Sequence, residues 1–216
     1  MGRNLVFDAT KVPNWTQTIK DILGNGNLNS NNGFSYCRDR IYELFNDLRD
    51  PETWRGPAAV ANLKDFKDVL NSLISFTNKM NVTFDGITHA FGCKVKEVMG
   101  NLTQTYSDDV ITQQLESFDE SNIDSTVVSY NYNKMRDIYN QLLVIKNKLK
   151  LAEGDLLEEI NKLDSGCGIW NGNVAYAAKI KLSKEAQTSY DDLINKVDKV
   201  ISNVGDVITN ATMVDK

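Results

Sequence analysis

Apolar residues recur along most of the chain at alternating steps of three and four positions. This spacing keeps one narrow apolar face on a helix and is typical of helices that pack against other helices. Four such stripes occur, and the first is short: Phe34, Cys37, Ile41, Leu44 and Leu48. The second stripe consists of Leu63, Phe66, Leu70, Leu73, Thr77, Met80, Phe84, Ile87 and Phe91, and the third of Met135, Ile138, Leu142, Ile145, Leu149, Ala152, Leu156, Ile160 and Leu163. The fourth stripe consists of Ala186, Tyr190, Leu193, Val197, Val200, Val204, Val207 and Ala211. No segment alternates with a period of two residues for long enough to compete with this pattern. The sequence therefore predicts an all-α fold in which amphipathic helices pack as a bundle.

Proline and glycine mark the ends of the predicted helices. Pro51 disfavours helical backbone at the residue before it, so the short stripe is expected to end at Asp50. Pro57 suits the first turn of the next helix, where its missing N–H costs nothing. The last two helices are separated by residues 164–173, whose three glycines predict a turn, with Asn173 as the N-cap of the last helix.

Two further segments give weaker patterns. Trp15, Ile19 and Ile22 could line a short helix over residues 14–23, ahead of a polar loop that is rich in Asn and Gly. Residues 107–133 are interpreted as a connection with one short helix at 109–118.

Composition and charge narrow the class of protein. The net charge is −5 and the isoelectric point is near 5.0, which argues against a protein that coats nucleic acid or anionic lipid. No apolar run approaches the roughly 20 residues that a membrane span needs. The first 15 residues also lack the apolar core of a signal peptide, so the chain is expected in the cytoplasm or outside the cell by a leaderless route.

Candidate catalytic and metal-binding residues are scarce. The three cysteines, Cys37, Cys93 and Cys167, form no C-x-x-C pair, and His89 is the only histidine, which argues against a disulfide framework and a zinc site. No partner for His89 can be named for nucleophilic catalysis. No glycine-rich segment has the spacing of a nucleotide-binding loop. The sequence therefore predicts no enzymatic activity, no metal and no cofactor.

A short motif occurs twice, each time between two predicted helices. The first copy reads Trp54-Arg-Gly56-Pro57 and the second reads Trp170-Asn-Gly172-Asn, each followed by an alanine and a long helix. A glycine allows the positive φ that a tight turn needs. A tryptophan in such a turn can cover the end of the apolar stripe.

This arrangement resembles the WXG family of small helical-hairpin proteins, which bacterial type VII secretion systems export. Members of that family are about one hairpin long and carry the W-x-G in the bend. The resemblance implies two hairpins in tandem, 34–106 and 134–212, joined by a linker over 107–133 and preceded by an N-terminal arm over 1–33. Because family members pair hairpin against hairpin, the chain is expected to close on itself as a monomeric pseudo-dimer, an elongated four-helix bundle.

The length of the linker fits this expectation. In such a pairing the second hairpin begins at the far end of the bundle from where the first one finishes. The linker can reach ~90 Å when fully extended, which suffices for a bundle ~60 Å long.

The resemblance also implies a function. The protein would be a non-enzymatic secreted substrate, export partner or adaptor of a type VII-like secretion system, acting through helix-face contacts with protein partners, a secretion ATPase or an effector among them. The recognised surface is expected at the two bends, which hold Trp54, Gly56, Pro57, Trp170 and Gly172. The high Asn and modest Ala content suits a Gram-positive host with an AT-rich genome.

Several alternatives stay open. Trp54 and Trp170 could be ordinary core residues of a coiled-coil protein, such as a structural component of a phage or cell-surface assembly. A membrane-active helical toxin is disfavoured because no long apolar segment is present. The family's export signal, Y-x-x-x-D/E, is absent from the last helix, where Tyr190 is followed four residues on by Ile194. Residues 1–33 could pack Trp15 onto the bundle or form a detachable recognition arm.

Overall fold

The computed structural model consists of five α-helices and four two-residue strands in the part of the chain that it describes. It describes residues 6–8, 10–24, 33–99, 127–166 and 169–214, without the side chains of residues 6–7, 90–99 and 211–214. In chain order the elements are β1 (Val6–Phe7), α1 (Val12–Leu23), α2 (Gly33–Arg49), β2 (Trp54–Arg55), α3 (Pro57–Met99), β3 (Ser129–Tyr130), α4 (Tyr132–Asn161), β4 (Trp170–Asn171) and α5 (Asn173–Val214).

The predicted all-α class is confirmed, and the helices begin and end close to the predicted positions. α2 ends one residue before Asp50, and α3 begins at Pro57 as expected. Asn173 is the first residue of α5 and does not precede it, so its prediction as the N-cap is wrong by one position. The helix predicted at 109–118 lies outside the described residues.

The predicted apolar stripes form the core. Every member of the stripe in α2 and of the stripe that runs along α4 to Leu163 is buried. The stripes of α3 and α5 are buried too, apart from the half-buried Thr77, Ile87 and Val207; the side chains of Phe91 and Ala211 lie outside the described part. α3 buries a wider face than the stripe predicted, which adds Ala59, Asn62, Val69, Ile74, Phe76, Asn81 and Thr88. This wider face arises because α3 contacts α1, α2 and α5.

α3 and α5 lie against each other in antiparallel orientation. Lys199 Nζ lies 2.7 Å from Asp65 Oδ1, and further along the pair Lys79 Nζ lies 2.6 Å from Glu185 Oε2. Both ion pairs are partly exposed to solvent, so each contributes at most about 1 kcal/mol. Burial of the apolar stripes therefore supplies most of the stability of this helix pair.

α2 and α4 are antiparallel as well. The Arg40 guanidinium donates a hydrogen bond to Gln141 Oε1 at 2.8 Å, and Lys134 Nζ lies 3.0 Å from Asp50 Oδ2. Each of these contacts joins the part of the chain before residue 100 to the part after residue 126. The two parts therefore share one hydrophobic core.

Two antiparallel strand pairs also join these two parts of the chain. β2 pairs with β3, where Trp54 lies opposite Tyr130, and β1 pairs with β4, where Phe7 lies opposite Trp170. β3 directly precedes α4, and β1 precedes α1. β2, which contains Trp54, is thus paired with the strand that leads into α4. β4, which contains Trp170, is paired with the strand that leads into α1.

The chain leaves α3 and enters α4 at opposite ends of α3. The Val127 carbonyl oxygen lies 3.6 Å from the position that a Cβ on Gly56 would occupy, so Val127 lies beside the start of α3. Met99 ends that helix of 43 residues, which at 1.5 Å per residue is about 65 Å long. The course of the chain between Met99 and Val127 lies outside the described residues.

The packing between α1 and α3 gives a first testable prediction. Phe84→Ala is expected to lower the free energy of unfolding by about 3–5 kcal/mol. Phe84 is fully buried, and its ring packs edge-on against Trp15 with the ring centroids 6.0 Å apart. Val82→Ala is the matched control, because Val82 lies on the same helix and is 54% exposed; it should change stability by at most about 0.5 kcal/mol. Urea unfolding followed by tryptophan fluorescence measures both, and equal losses would contradict this packing.

Candidate functional site

The first W-x-G turn is a tight connection between α2 and α3. The Asp50 carbonyl accepts hydrogen bonds from the backbone N–H groups of Thr53 and Trp54, at 2.8 and 3.4 Å. Trp54 is 5% exposed. Gly56 has a φ of 116°, and its carbonyl accepts the Val60 N–H at 3.2 Å, which begins the hydrogen-bond ladder of α3. The glycine is therefore required by the backbone, and the tryptophan belongs to the core.

The second W-x-G turn reaches the same geometry through a longer connection. The Asp164 N–H donates to the Trp170 carbonyl at 2.9 Å, and Asp164 Oδ1 accepts the Gly172 N–H at 3.1 Å. Gly172 has a φ of 126°, and its carbonyl accepts the Tyr176 N–H at 2.9 Å. Trp170 is 2% exposed. The two turns therefore place their tryptophans and glycines equivalently.

The equivalence of the two turns extends into α3 and α5. Residues of the two helices correspond when they are separated along the chain by the same number of positions as Trp54 and Trp170. The pairs of buried residues at this offset are Ala59 and Ala175, Asn62 and Ala178, Phe66 and Leu182, Leu70 and Ala186, Ile74 and Tyr190, Asn81 and Val197, Phe84 and Val200, and Thr88 and Val204. The internal repeat is thus also a repeat in burial at these eight positions, whereas the buried Leu63, Leu73 and Met80 correspond to the half-buried Lys179, Ser189 and Lys196.

The strand that faces each turn is held by one further hydrogen bond. The Asn131 N–H donates to the Thr53 carbonyl at 2.8 Å, and at the other turn the Asp8 N–H donates to the Ile169 carbonyl at 3.2 Å. Asn131 then caps α4 by accepting the Lys134 N–H on its side-chain oxygen at 3.1 Å. The turn of one part therefore fixes where the first helix of the other part begins.

The predicted site residues lie in two separate places. Trp54, Gly56 and Pro57 lie together at the start of α3, whereas Trp170 and Gly172 lie at the start of α5. Both indole rings are buried, and a partner that binds to the folded protein would meet the residues around them.

Around the first turn those residues are apolar and exposed. Val127, Val128, Tyr130 and Tyr132 are 45%, 75%, 37% and 37% exposed. We call these four residues the first-turn surface. Sequence analysis missed them, because single apolar residues in a non-periodic segment are not distinguishable from loop residues.

A groove adjoins the first-turn surface between the start of α4 and the end of α5. Its volume is about 480 Å³, and its lining includes Tyr132, Arg136, Tyr139 and Ile208. Gly205 lies on its α5 side, where a Cβ would be 3.2 Å from the Tyr139 ring. The groove mixes apolar residues with the oppositely charged Arg136 and Asp206 and with hydroxyl groups, a combination that is typical of the polar rim of a protein interface.

An ion pair lies at the same end of the molecule. Lys134 Nζ donates to Asp50 Oδ2 at 3.0 Å, and Asp50 Oδ1 accepts the Glu52 N–H at 2.9 Å. The Glu52 N–H and then the Lys134 ammonium lower the pKa of Asp50 below its ordinary value. The same contact raises the pKa of Lys134. Asp50 therefore stays ionised at neutral pH and ties the first turn to α4.

The position of Trp15 shows that α1, within the N-terminal arm, packs on the rest of the protein and is not detached from it. Its indole Nε1 donates to the Glu159 carbonyl at 3.0 Å, and the side chain is 4% exposed. α1 therefore packs against α4 and the core in the described state.

The remaining candidate groups for chemistry are dispersed. Cys37 is fully buried, and burial raises the pKa of its thiol to about 12, which disfavours the reactive thiolate. His89 lies on the exposed face of α3. Among the described residues there is no group of three side chains that could hold a metal ion. None of the described helices combines the length and apolar character needed to span a membrane.

Comparison with protein-family models, with curated proteins and with solved structures gave no match in any of the three searches.

The positive φ of the first turn leads to a testable prediction. Gly56→Ala is expected to destabilise the protein by about 1–3 kcal/mol, since an L-residue is strained there and its Cβ would lie 3.2 Å from Val128 Cγ2. Gly86→Ala is the control: Gly86 lies within α3 with nothing within 4 Å of an added Cβ, and it should gain up to about 1 kcal/mol. Chemical denaturation measures both. A Gly56→Ala protein as stable as the wild type would show that the turn does not need a glycine.

The Asp50–Lys134 contact predicts a pH effect. Lys134→Gln should raise the pKa of Asp50 part of the way to its ordinary value, because the Glu52 N–H remains. A carboxyl with a lowered pKa stabilises the fold above its unfolded pKa, and this contribution is lost as the pH falls through the folded pKa. Titration of the Asp50 side-chain carbon by NMR measures the shift. An unchanged pKa in the variant would mean that the contact does not persist in solution.

Proposed function

We propose that the helices form two hairpins that pack on each other as an elongated four-helix bundle within one chain. α2 and α3 flank the first turn, α4 and α5 flank the second, and the members of each pair contact each other. The contacts of α3 with α5 and of α2 with α4 supply the packing of one hairpin on the other. α1 extends the first hairpin by adding Trp15 to the shared core.

We further propose that this bundle is a non-enzymatic substrate, export partner or adaptor of a type VII-like secretion system in a Gram-positive bacterium. The observation that carries the proposal is the repeated W-x-G turn. Both copies have a buried tryptophan, a glycine with positive φ and a long helix that starts at the next residue. This is the geometry that the family resemblance leads one to expect of two fused hairpins.

In this proposal the partner contacts the first-turn surface. Four of the exposed large apolar side chains lie within six consecutive residues there, beside a groove. Clustered apolar exposure with a polar rim is typical of protein interaction sites. The buried Trp54 and Gly56 act indirectly, because they position β3 and the start of α4.

Secretion from a Gram-positive host with and without its type VII ATPase tests the proposal. The tagged chain is expected in the culture medium only when the ATPase is present. Val128→Asp should lower the secreted fraction about tenfold, the effect of losing about 1.4 kcal/mol of partner binding. Val128 is 75% exposed, so this change should leave the melting temperature unaltered.

Val144→Asp is the matched control. Val144 is 54% exposed on α4 and lies outside the first-turn surface, so its secretion should equal that of the wild type. Secretion that does not depend on the ATPase would overturn the proposal. Equal losses in the two variants would place the contact elsewhere on the protein.

One observation favours the alternative, a structural component of a coiled-coil assembly. Val144 and Leu151 are 54% and 62% exposed, and residues seven positions apart lie on the same face of a helix. This face could join several copies side by side. Under this alternative Val144→Asp would abolish stable oligomers, which light scattering detects, while Val128→Asp would leave them intact.

A further inference from the structure

α4 has an exposed face on the side of the helix that points away from its buried stripe. Residues three or four positions apart lie side by side on a helix. One row of exposed residues on α4 with this spacing consists of Asn140, Val144, Asn147, Leu151, Gly154, Asp155 and Glu158. We call this row the outer α4 face. Its two large apolar side chains, Val144 and Leu151, are 54% and 62% exposed, so a surface that covered them would gain stability.

Gly154 leaves a gap in the outer α4 face, next to Leu151. Nothing lies within 4 Å of the position that a Cβ on Gly154 would occupy. A glycine inside a helix is about 1 kcal/mol less favourable than an alanine. Packing within the single chain therefore does not account for this glycine, whereas the close approach of another helix to the backbone of α4 would.

The order of charges along α4 indicates what covers this face. Between Val144 and Asn161 the charged residues are three lysines, all before Leu151, and four acids, all after it. Lys146 pairs with Asp198, Lys148 lies over the Tyr36 ring, and Glu159 pairs with Lys162. The other charges of this stretch that are exposed are Lys150, Asp155 and Glu158.

These three charges make the outer α4 face complementary to itself in one orientation. In the described part of the chain, neither Asp155 nor Glu158 forms an ion pair. Two copies of the face in antiparallel orientation bring Lys150 of each copy to the carboxylates of the other. A parallel pair would place like charges against each other, which is unfavourable.

We propose that two copies of the protein form an antiparallel dimer through their outer α4 faces, about a two-fold axis close to Leu151. In this dimer Leu151 of one copy lies against Gly154 of the other, and Lys150 of one lies beside Asp155 of the other. A two-fold contact uses the same face on both copies and leaves none free, so association stops at two chains. The dimer therefore differs from the open coiled-coil assembly considered above, and it does not depend on secretion.

The mass of the full chain as a function of concentration tests this proposal. Light scattering should show a monomer at about 5 µM and a growing fraction of dimer toward about 1 mM, since two large apolar side chains per copy form a weak contact. Leu151→Asp should abolish the dimer and leave the melting temperature unaltered, because Leu151 is largely exposed. Ile180→Asp is the matched control: Ile180 is 49% exposed on α5, outside the outer α4 face, and its dimer fraction should equal that of the wild type.

Exchange of charges tests the antiparallel orientation. Lys150→Glu and Asp155→Lys should each weaken the dimer about tenfold, because each change brings like charges together between the copies. The double variant should recover the affinity of the wild type to within about threefold, because it restores the opposite charges with their positions exchanged. In a parallel pair each residue would face its own counterpart, and neither single change should matter.

Four outcomes would overturn the proposal. These are a chain that is monomeric at every concentration, a mass that grows past two chains, equal effects of Leu151→Asp and Ile180→Asp, and a double charge variant that does not recover. The dimer is measured on the purified chain, so a failure of ATPase-dependent secretion would leave this result unchanged.

Discussion

The arrangement of the helices depends on one interaction between the two parts of the chain: the strand in each W-x-G turn pairs with a strand from the other part. The Thr53 carbonyl accepts a hydrogen bond from the Asn131 N–H, and the Ile169 carbonyl accepts one from the Asp8 N–H. Two-residue strands contribute little stability by themselves. They do fix where α4 and α1 begin, at opposite ends of the molecule, and so they set the register of every apolar stripe between them.

The turns explain why tryptophan and glycine are used together. Gly56 and Gly172 adopt φ values of 116° and 126°, which side chains rarely tolerate, and each passes its carbonyl directly to the first turn of a long helix. The indole beside each glycine covers the core at that turn. Trp54 is 5% exposed and Trp170 is 2% exposed. The tryptophans and glycines of both W-x-G motifs are therefore structural residues, which position the exposed residues around them.

The sequence predicted what is periodic and missed what is not. The stripes from Phe34 to Leu48 and from Met135 to Leu163 predicted the core because each repeats a helical spacing several times. β1 to β4 have two residues each, too few to show a period. The exposure of Val128 depends on its place beside Gly56, which only tertiary structure reveals. Trp15 had a helical context but no sequence feature that identified the Glu159 carbonyl as its acceptor.

The two W-x-G turns lie in one chain, so their surroundings can differ in a way that those of a symmetric pair of identical chains cannot. Val127 and Val128 directly precede β3 and are 45% and 75% exposed. The first turn is short and tied to α4 by Asp50 and Lys134, and the second is longer and closed by Asp164. The two turns therefore present different surfaces to solvent: Val127 and Val128 are exposed beside the first turn, whereas Val174 and Tyr176 are exposed just after the second.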